Sequence, residues 1–363
     1  MEAPLVPDYE GACLSGLVPG LLGGDRSWLP EPARRPGVPT VLLVIDGLGW
    51  LQLCERWPLA PCLAALSGGP IHSVAPTTTA AALTSISTGT PPGEHGIVGY
   101  RMYVHGDILN VLRWSTGEGD ARRRMPPEQI QHRSAFRGTQ PVAVTKAEFA
   151  MTGFTLAHLA GVRHRGWRLP STLIVETAAA VRAGERFVYA YYDGPDRVAH
   201  EYGLGAHYDA ELAATDRLVA ALLAALPSGT QVLVTADHGQ VDVGTNIVTP
   251  AREVLAHTRL QSGEGRFRWL HAQRGREGEL LAAATTAHAH HAWVVPLGQM
   301  RDEQWFGRHL APAAAARLGD VALVARDPIS FDDPADSGAF TLIARHGSLT
   351  PNEMLVPLLA ATV

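Results

Sequence analysis

Lysine is almost missing from this chain: Lys146 is the single lysine among 30 basic residues, and the rest are arginine. A phosphate-cradling loop of the Walker type closes on Gly-Lys-Ser/Thr, and no such triplet occurs, so nucleotide binding of that kind is excluded. Kinase-type and Schiff-base chemistry would rest on Lys146 alone, in the unpromising context VTKAEF. The glycines of GLVPGLLGGD follow no strand, which argues against a dinucleotide loop. Cysteine is scarce too. Cys13, Cys54 and Cys62 form no CxxC pair and are odd in number, which points to unpaired thiols and a reducing compartment. No segment reaches the roughly 20 apolar residues of a membrane span. The opening MEAPLVPDYEGACLSGLVPG has no basic start and no continuous apolar core, so it does not read as a signal peptide. A cytoplasmic location is the expectation. A net charge of −5 offers no basic footprint for a nucleic-acid polymer.

What is present suits a globular protein. Hydrophobic residues make up 46% of the 363 and charged residues 18%, enough to bury a large core. Short apolar runs at Val41–Ile45, Val142–Thr145, Phe187–Tyr192 and Gln231–Thr235 read as strands buried on both faces. Ile71–Val74 reads as a short strand, and Phe340–Ala344 is a weaker strand candidate. Tyr208–Leu226 places Tyr208, Leu212, Val219, Leu222 and Leu226 on one helical face, and Ser171–Ala183 forms a second helix. This alternation predicts an α/β fold, a largely parallel central sheet flanked by helices. From about Gly244 to Arg326 the rhythm breaks. That stretch has its own strand candidates (Arg266–His271, Ala292–Pro296, Asp320–Ala325) and a helix near Glu277–Thr286, so residues 244–326 read as a smaller inserted α+β cap within a single domain spanning 1–363. Val98–Trp114 reads as a hairpin-like excursion.

Chemistry-bearing residues stand where the strands end. Asp46 follows the apolar run of VLLVIDG; Asp196 and His200 follow that of FVYAYYDGPDRVAH; Asp237 and His238 follow that of QVLVTADHG; His346 lies in ARHGS. A lone Asp-Gly after a strand is usually a turn. Carboxylates and imidazoles recurring at one sheet edge are a different matter, since that donor mixture suits Zn²⁺. Asp196 and His200, four apart, share a helical face or bracket a tight loop. A further segment, APTTTAAALTSISTG, runs three threonines into an Ala-rich helical stretch. A threonine at a helix start sits beside unpaired N–H groups that attract phosphate. Its hydroxyl is a weak nucleophile unless a metal lowers its pKa. His95 in GEHG reads as a packing residue, Asp193 as a loop-shaping or supporting group, and His288, His290 and His291 as a solvated or partly packed stretch.

Ordered along the chain, these segments resemble the alkaline phosphatase superfamily, and within it the type I phosphodiesterase/nucleotide pyrophosphatase branch. The resemblance rests on the strand ending in Asp46, PTTT…TG followed by EHGI, PDRVAH, TADHG and the C-terminal HG, and it covers the chain from Asp46 to His346. It implies hydrolysis of phosphodiester or pyrophosphate bonds through a phosphothreonine intermediate on Thr79. It implies two divalent metal ions, with Zn²⁺ expected and Mn²⁺ the alternative. Asp46, Asp237, His238 and the oxygen of Thr79 would hold one ion; Asp196, His200 and His346 would hold the other. The expected partner is a small phosphate ester such as a nucleotide. One position departs from the branch: the asparagine expected three residues after the nucleophile is Ala82, leaving Arg197, Arg345 or a backbone N–H to meet the phosphoryl oxygen. The same site would serve a phosphomonoesterase or a phosphonate hydrolase. A phosphomutase would call for serine and more lysine. A non-catalytic metal-binding member of the fold is the alternative from another class.

Overall fold

The computed structural model describes residues 3–336 and 342–363. Its central sheet contains β1 (Thr40–Ile45), β2 (Ser67–His72), β3 (Val142–Lys146), β4 (Arg163–Trp167), β5 (Phe187–Tyr192), β6 (Gln231–Thr235) and β7 (Leu355–Thr362). The order across the sheet is β2-β7-β6-β1-β5-β3-β4. β1 pairs in parallel with both β6 and β5, and β3 pairs in parallel with β5 and β4. β7 runs antiparallel to β6 and to β2, so β2 again points the same way as β6. Every residue of β1, β5 and β6 is buried, which is why their sequences are apolar without alternation. Helices flank the sheet, among them Pro170–Arg182 and Ala206–Ala225, which pack on each other.

Two strands of the central sheet were not expected from the sequence, for identifiable reasons. β4 (RHRGW) is a charged, mostly accessible edge strand, as edges that avoid pairing with other chains tend to be. β7 contains Pro357, which normally argues against an interior strand. Here Pro357 lies one residue beyond the last pairing with β6, and across from it on β2 stands Pro70, so no ladder donor is missed at that pair. The expected strand Ile71–Val74 is observed as Ser67–His72, and the chain leaves the sheet before Val74. Of the candidate Phe340–Ala344, Phe340 and Thr341 lie outside the described residues. Ala344 belongs to a two-residue strand, Ala344–Arg345, that pairs with Val241–Asp242 rather than with the main sheet.

A second sheet, of four antiparallel strands, is built from Thr258–Glu264, Phe267–Ala272, Val321–Ala325 and Ala292–Pro296 in that order, with the helix Glu277–His288 against it. A smaller sheet holds the hairpin Arg101–Val104 and Asp107–Asn110. The second sheet is tied to the main body by a buried ion pair. Arg266 donates from Nε and a terminal nitrogen to Glu353 at 2.7 and 2.8 Å, and neither side chain is solvent-accessible. Glu353 also accepts from the Ser348 N–H at 2.9 Å and the Thr350 hydroxyl at 2.6 Å, so the pair anchors the loop that follows His346.

Removing one partner of such a pair strands the other charge in the interior. Arg266→Ala should therefore cost roughly 3–5 kcal/mol in urea unfolding; a loss below about 1 kcal/mol would mean the pair is dispensable.

Candidate metal centre and active site

Because β1, β2, β5 and β6 point the same way, the segments leaving their C-terminal ends meet at one edge of the sheet, where open α/β sheets place their sites. Asp46 is the first residue after β1. Asp196 and His200 lie on the helix Gly194–Tyr202 that follows β5. Asp237 and His238 come just after β6, and Thr79 begins the fully buried helix Thr79–Thr88 beyond β2. Gly47 has φ +70, and a Cβ there would stand 2.7 Å from the Gln240 side chain and 2.9 Å from Asp196 Cα, so only glycine lets these segments close in.

Thr78 is the N-cap of the Thr79 helix and has extended backbone. Thr77 pins the turn. Its hydroxyl donates to Ser348 O at 2.7 Å and accepts from Gly347 N at 3.0 Å, which joins the turn to the His346 loop. The first N–H groups of a helix have no partner within it, so the Thr79 turn is an anion-attracting end.

All seven residues singled out in the sequence converge on this edge. Thr79 Oγ1 is 3.1 Å from His238 Nε2. The same nitrogen lies 3.4 Å from Asp46 Oδ1 and 3.5 Å from Asp237 Oδ2. His200 Nε2 is 3.3 Å and His346 Nε2 4.0 Å from Asp196 Oδ1. Donor atoms of Asp46, Asp237 and His238 lie within 4.8 Å of one another, and so do those of Asp196, His238 and His346. His238, stacked on His346 with ring centroids 3.5 Å apart, is thus common to both groups. His200 joins the second group through its contact with Asp196.

The histidine tautomers follow from their outer contacts. Nδ1 of His200 faces Ala344 O at 2.7 Å, that of His346 faces Thr77 O at 2.8 Å, and that of His238 faces Gly239 O at 3.0 Å. A carbonyl only accepts, so each Nδ1 carries the proton and each Nε2 turns inward. Burial, and then the neighbouring His238 and His200, hold His346 well below the ordinary imidazole range. Burial first, and then the Asp237 and Asp196 charges, hold the Asp46 carboxyl well above its usual range; Asp237 is raised chiefly by burial. Asp46 Oδ1 and Asp237 Oδ2 are buried without a hydrogen-bond donor among the described residues. Inward lone pairs facing buried carboxylate oxygens that lack donors are what a divalent cation binds, and the mixed nitrogen and oxygen set fits Zn²⁺.

Two supporting residues were not foreseen. The Tyr191 hydroxyl donates to Asp46 Oδ2, and Gln240 Nε2 donates to Asp196 Oδ1 at 2.6 Å. Strand alternation in FVYAYY puts Tyr189 and Tyr191 on the site face while Tyr192 bonds Glu211 on the other, a signal present in the sequence. Asp193 pairs with Lys146 at 2.5 Å. His95 is buried against Ser85 Oγ at 2.9 Å and belongs to neither donor group. His288, His291 and His290 form a hydrogen-bonded chain, 3.2 and 2.7 Å between successive rings, without converging on one point. Beside the donor groups opens a cavity of about 280 Å³, lined by Thr79, Asp46, Asp196, Arg197, Phe149 and Phe154 among others.

Fold and donor set together define a phosphoester hydrolase with an alkaline phosphatase-like architecture and a candidate metal centre. The family model for type I phosphodiesterase/nucleotide pyrophosphatase matches residues 40–348, and the chain belongs to that family. No curated protein sequence matches it. Among solved structures it is similar to an inactive variant of murine ectonucleotide pyrophosphatase/phosphodiesterase 5 in complex with AMP, with a TM-score of 0.66 and 15% identity over 89% of this chain and 88% of that one. The human counterpart gives 0.65 and 15% over 89% and 87%. Phosphonoacetate hydrolase from Sinorhizobium meliloti, in complex with phosphonoformate, gives 0.64 and 17% over 89% of each chain.

Two outcomes follow from the geometry. Tyr191→Phe removes the one hydrogen-bond donor to the Asp46 carboxylate among the described residues and should weaken zinc binding roughly 10–100-fold in a competition titration; unchanged affinity would make the contact incidental. Folding raises the Asp46 pKa, so metal-free protein binds that proton more tightly than the unfolded chain does. Its stabilising effect is complete below the ordinary carboxylate pKa and is lost as pH rises through the folded value. Asp46→Asn should therefore stabilise the chelated protein by roughly 1–3 kcal/mol at about pH 8 and by less at about pH 5, while abolishing stabilisation by added zinc. A gain independent of pH would contradict this.

Proposed function

We propose that the protein hydrolyses phosphodiester or pyrophosphate bonds by transferring the phosphoryl centre to Thr79 Oγ and then to water. The observation that supports this reading most is the approach of Thr79 Oγ1 to within 3.1 Å of His238 Nε2, at the meeting point of both donor groups. Asp46, Asp237, His238 and the Thr79 oxygen would hold one divalent ion, and Asp196, His200 and His346 the other, with zinc the expected metal. Such ions supply Lewis acidity and lower the pKa of a coordinated hydroxyl or water.

The chain's own residues do the rest. Thr79 stands at the head of a buried helix, and its oxygen faces His238 Nε2, toward both donor groups. The unpaired N–H groups of that first turn are placed to meet non-bridging phosphoryl oxygens, a role that Ala82 cannot fill with its methyl group. As the Thr79 oxygen bonds phosphorus, the bond to the leaving oxygen breaks. Attack by water on the phosphothreonine then returns the free hydroxyl. Tyr191 and Gln240 hold the Asp46 and Asp196 carboxylates in place. The cavity beside Thr79 receives the organic part of a small ester, and its wall is largely apolar and aromatic: Leu83, Leu112, Phe149, Phe154 and Leu159.

Thr79→Ala removes one hydroxyl from this arrangement. The variant should lose turnover of an aryl phosphodiester by about 10³-fold or more while keeping its zinc content and melting temperature nearly unchanged. Wild-type rates in that variant would remove Thr79 from the reaction.

A further inference from the structure

The charged groups around the cavity are few, and all but one are already engaged. Asp46 and Asp196 belong to the donor groups described above. Asp193 is buried and neutralised by Lys146, whose ammonium also lies 5.5 Å from the Trp167 ring centroid and 5.7 Å from that of Phe149. His158 stacks on Phe154 with ring centroids 4.0 Å apart, and burial lowers its pKa to about 4, so it is uncharged. Arg197 is the exception. Of the residues lining the cavity it alone is solvent-exposed, and its guanidinium makes no hydrogen bond or ion pair among the described residues. It follows Asp196 directly on the helix Gly194–Tyr202, so the segment that supplies a donor to the centre also stands a free cation at the cavity mouth.

Resting on the phosphoester hydrolase reading, we propose that Arg197 is a substrate-binding residue that receives a second anionic group attached next to the scissile phosphorus. The preferred substrates then carry such a group, as a pyrophosphate or a phosphonocarboxylate does and a simple diaryl phosphodiester does not. The physical case has two parts. The cavity interior is walled largely by apolar side chains and by charges already balanced, and its remaining donors are uncharged threonine and tyrosine hydroxyls, so an additional anion placed there would be desolvated without a cationic partner. At the mouth, a planar guanidinium with unused donors matches phosphate or carboxylate oxygens in two-point fashion. The inner space is left to an uncharged organic group and the outer rim to the anion, which fixes the direction in which a substrate lies across Thr79.

The test compares kcat/KM for zinc-loaded wild type, Arg197→Gln and Arg197→Lys on a nucleoside triphosphate, phosphonoacetate and bis(p-nitrophenyl) phosphate. Loss of a charge-assisted contact should lower the glutamine variant's kcat/KM roughly 10–100-fold on a substrate bearing the second anion. The ratio of that value to the diaryl phosphodiester value should fall at least about tenfold, and lysine should restore part of it. Zinc content and melting temperature, measured alongside, should match wild type because the side chain is exposed. Which of the triphosphate and phosphonoacetate shows the effect identifies the anion's source. Equal losses on all three substrates, or none, would overturn the role of Arg197. Wild type inert toward all three would instead sink the hydrolase reading and this inference with it.

Discussion

Two carboxylates out of contact with water, Asp46 and Asp237, face each other and the inward nitrogen of His238 with no proton donor for the oxygens between them. In a protein interior this arrangement is unfavourable by itself, because each ionised group loses hydration and repels the other. The surrounding structure keeps it in place. Tyr191 occupies the outer oxygen of Asp46, Gly47 and His238 offer backbone N–H groups to Asp237 Oδ1, and Gln240 fixes Asp196. Each histidine gives its outer proton to a carbonyl. The outer oxygens of Asp46 and Asp237 and the outer nitrogens of the histidines have partners, whereas Asp46 Oδ1 and Asp237 Oδ2 on the inside have none among the described residues, a pattern that a divalent cation resolves.

Topology supplies the convergence. Asp46 and His238, 192 positions apart, meet because the strands preceding them run in one direction, and the single antiparallel strand β7 lets β2, and hence Thr79, join the same edge. The His346 loop does not follow a strand of this sheet. It is held by other contacts, among them the Ala344–Arg345 strand on Val241–Asp242, the Thr77 hydrogen bonds, and the buried Arg266–Glu353 pair that reaches in from the second sheet. The second sheet is thereby mechanically linked to the Thr79 turn, and disturbing it should be felt at His346 before it is felt at Asp46.

The parts of this protein that were legible in the sequence are those where one pressure acts alone. Phe187–Tyr192 and Gln231–Thr235 are buried on both faces, and their apolar runs give their limits residue for residue. The seven candidate residues could be picked out because each sits immediately beyond such a run or in a motif shared with a known branch. β4 was hidden because an exposed edge tolerates arginine and histidine, and β7 because its proline sits opposite another proline, a fact of register that no single segment contains. Tyr191 and Gln240 were hidden for a related reason: a supporting hydrogen bond depends on which face a residue takes once its partner is known. The free guanidinium of Arg197 became meaningful only after Lys146 was seen to be spent on Asp193.

Anomalous diffraction at the zinc edge, on crystals of the full chain grown with zinc, tests the central claim most directly. The expected result is a pair of adjacent peaks, one among Asp46, Asp237 and His238 beside the Thr79 oxygen, the other among Asp196, His200 and His346. Absence of density there, or zinc found only at the His288–His291 cluster, would contradict it.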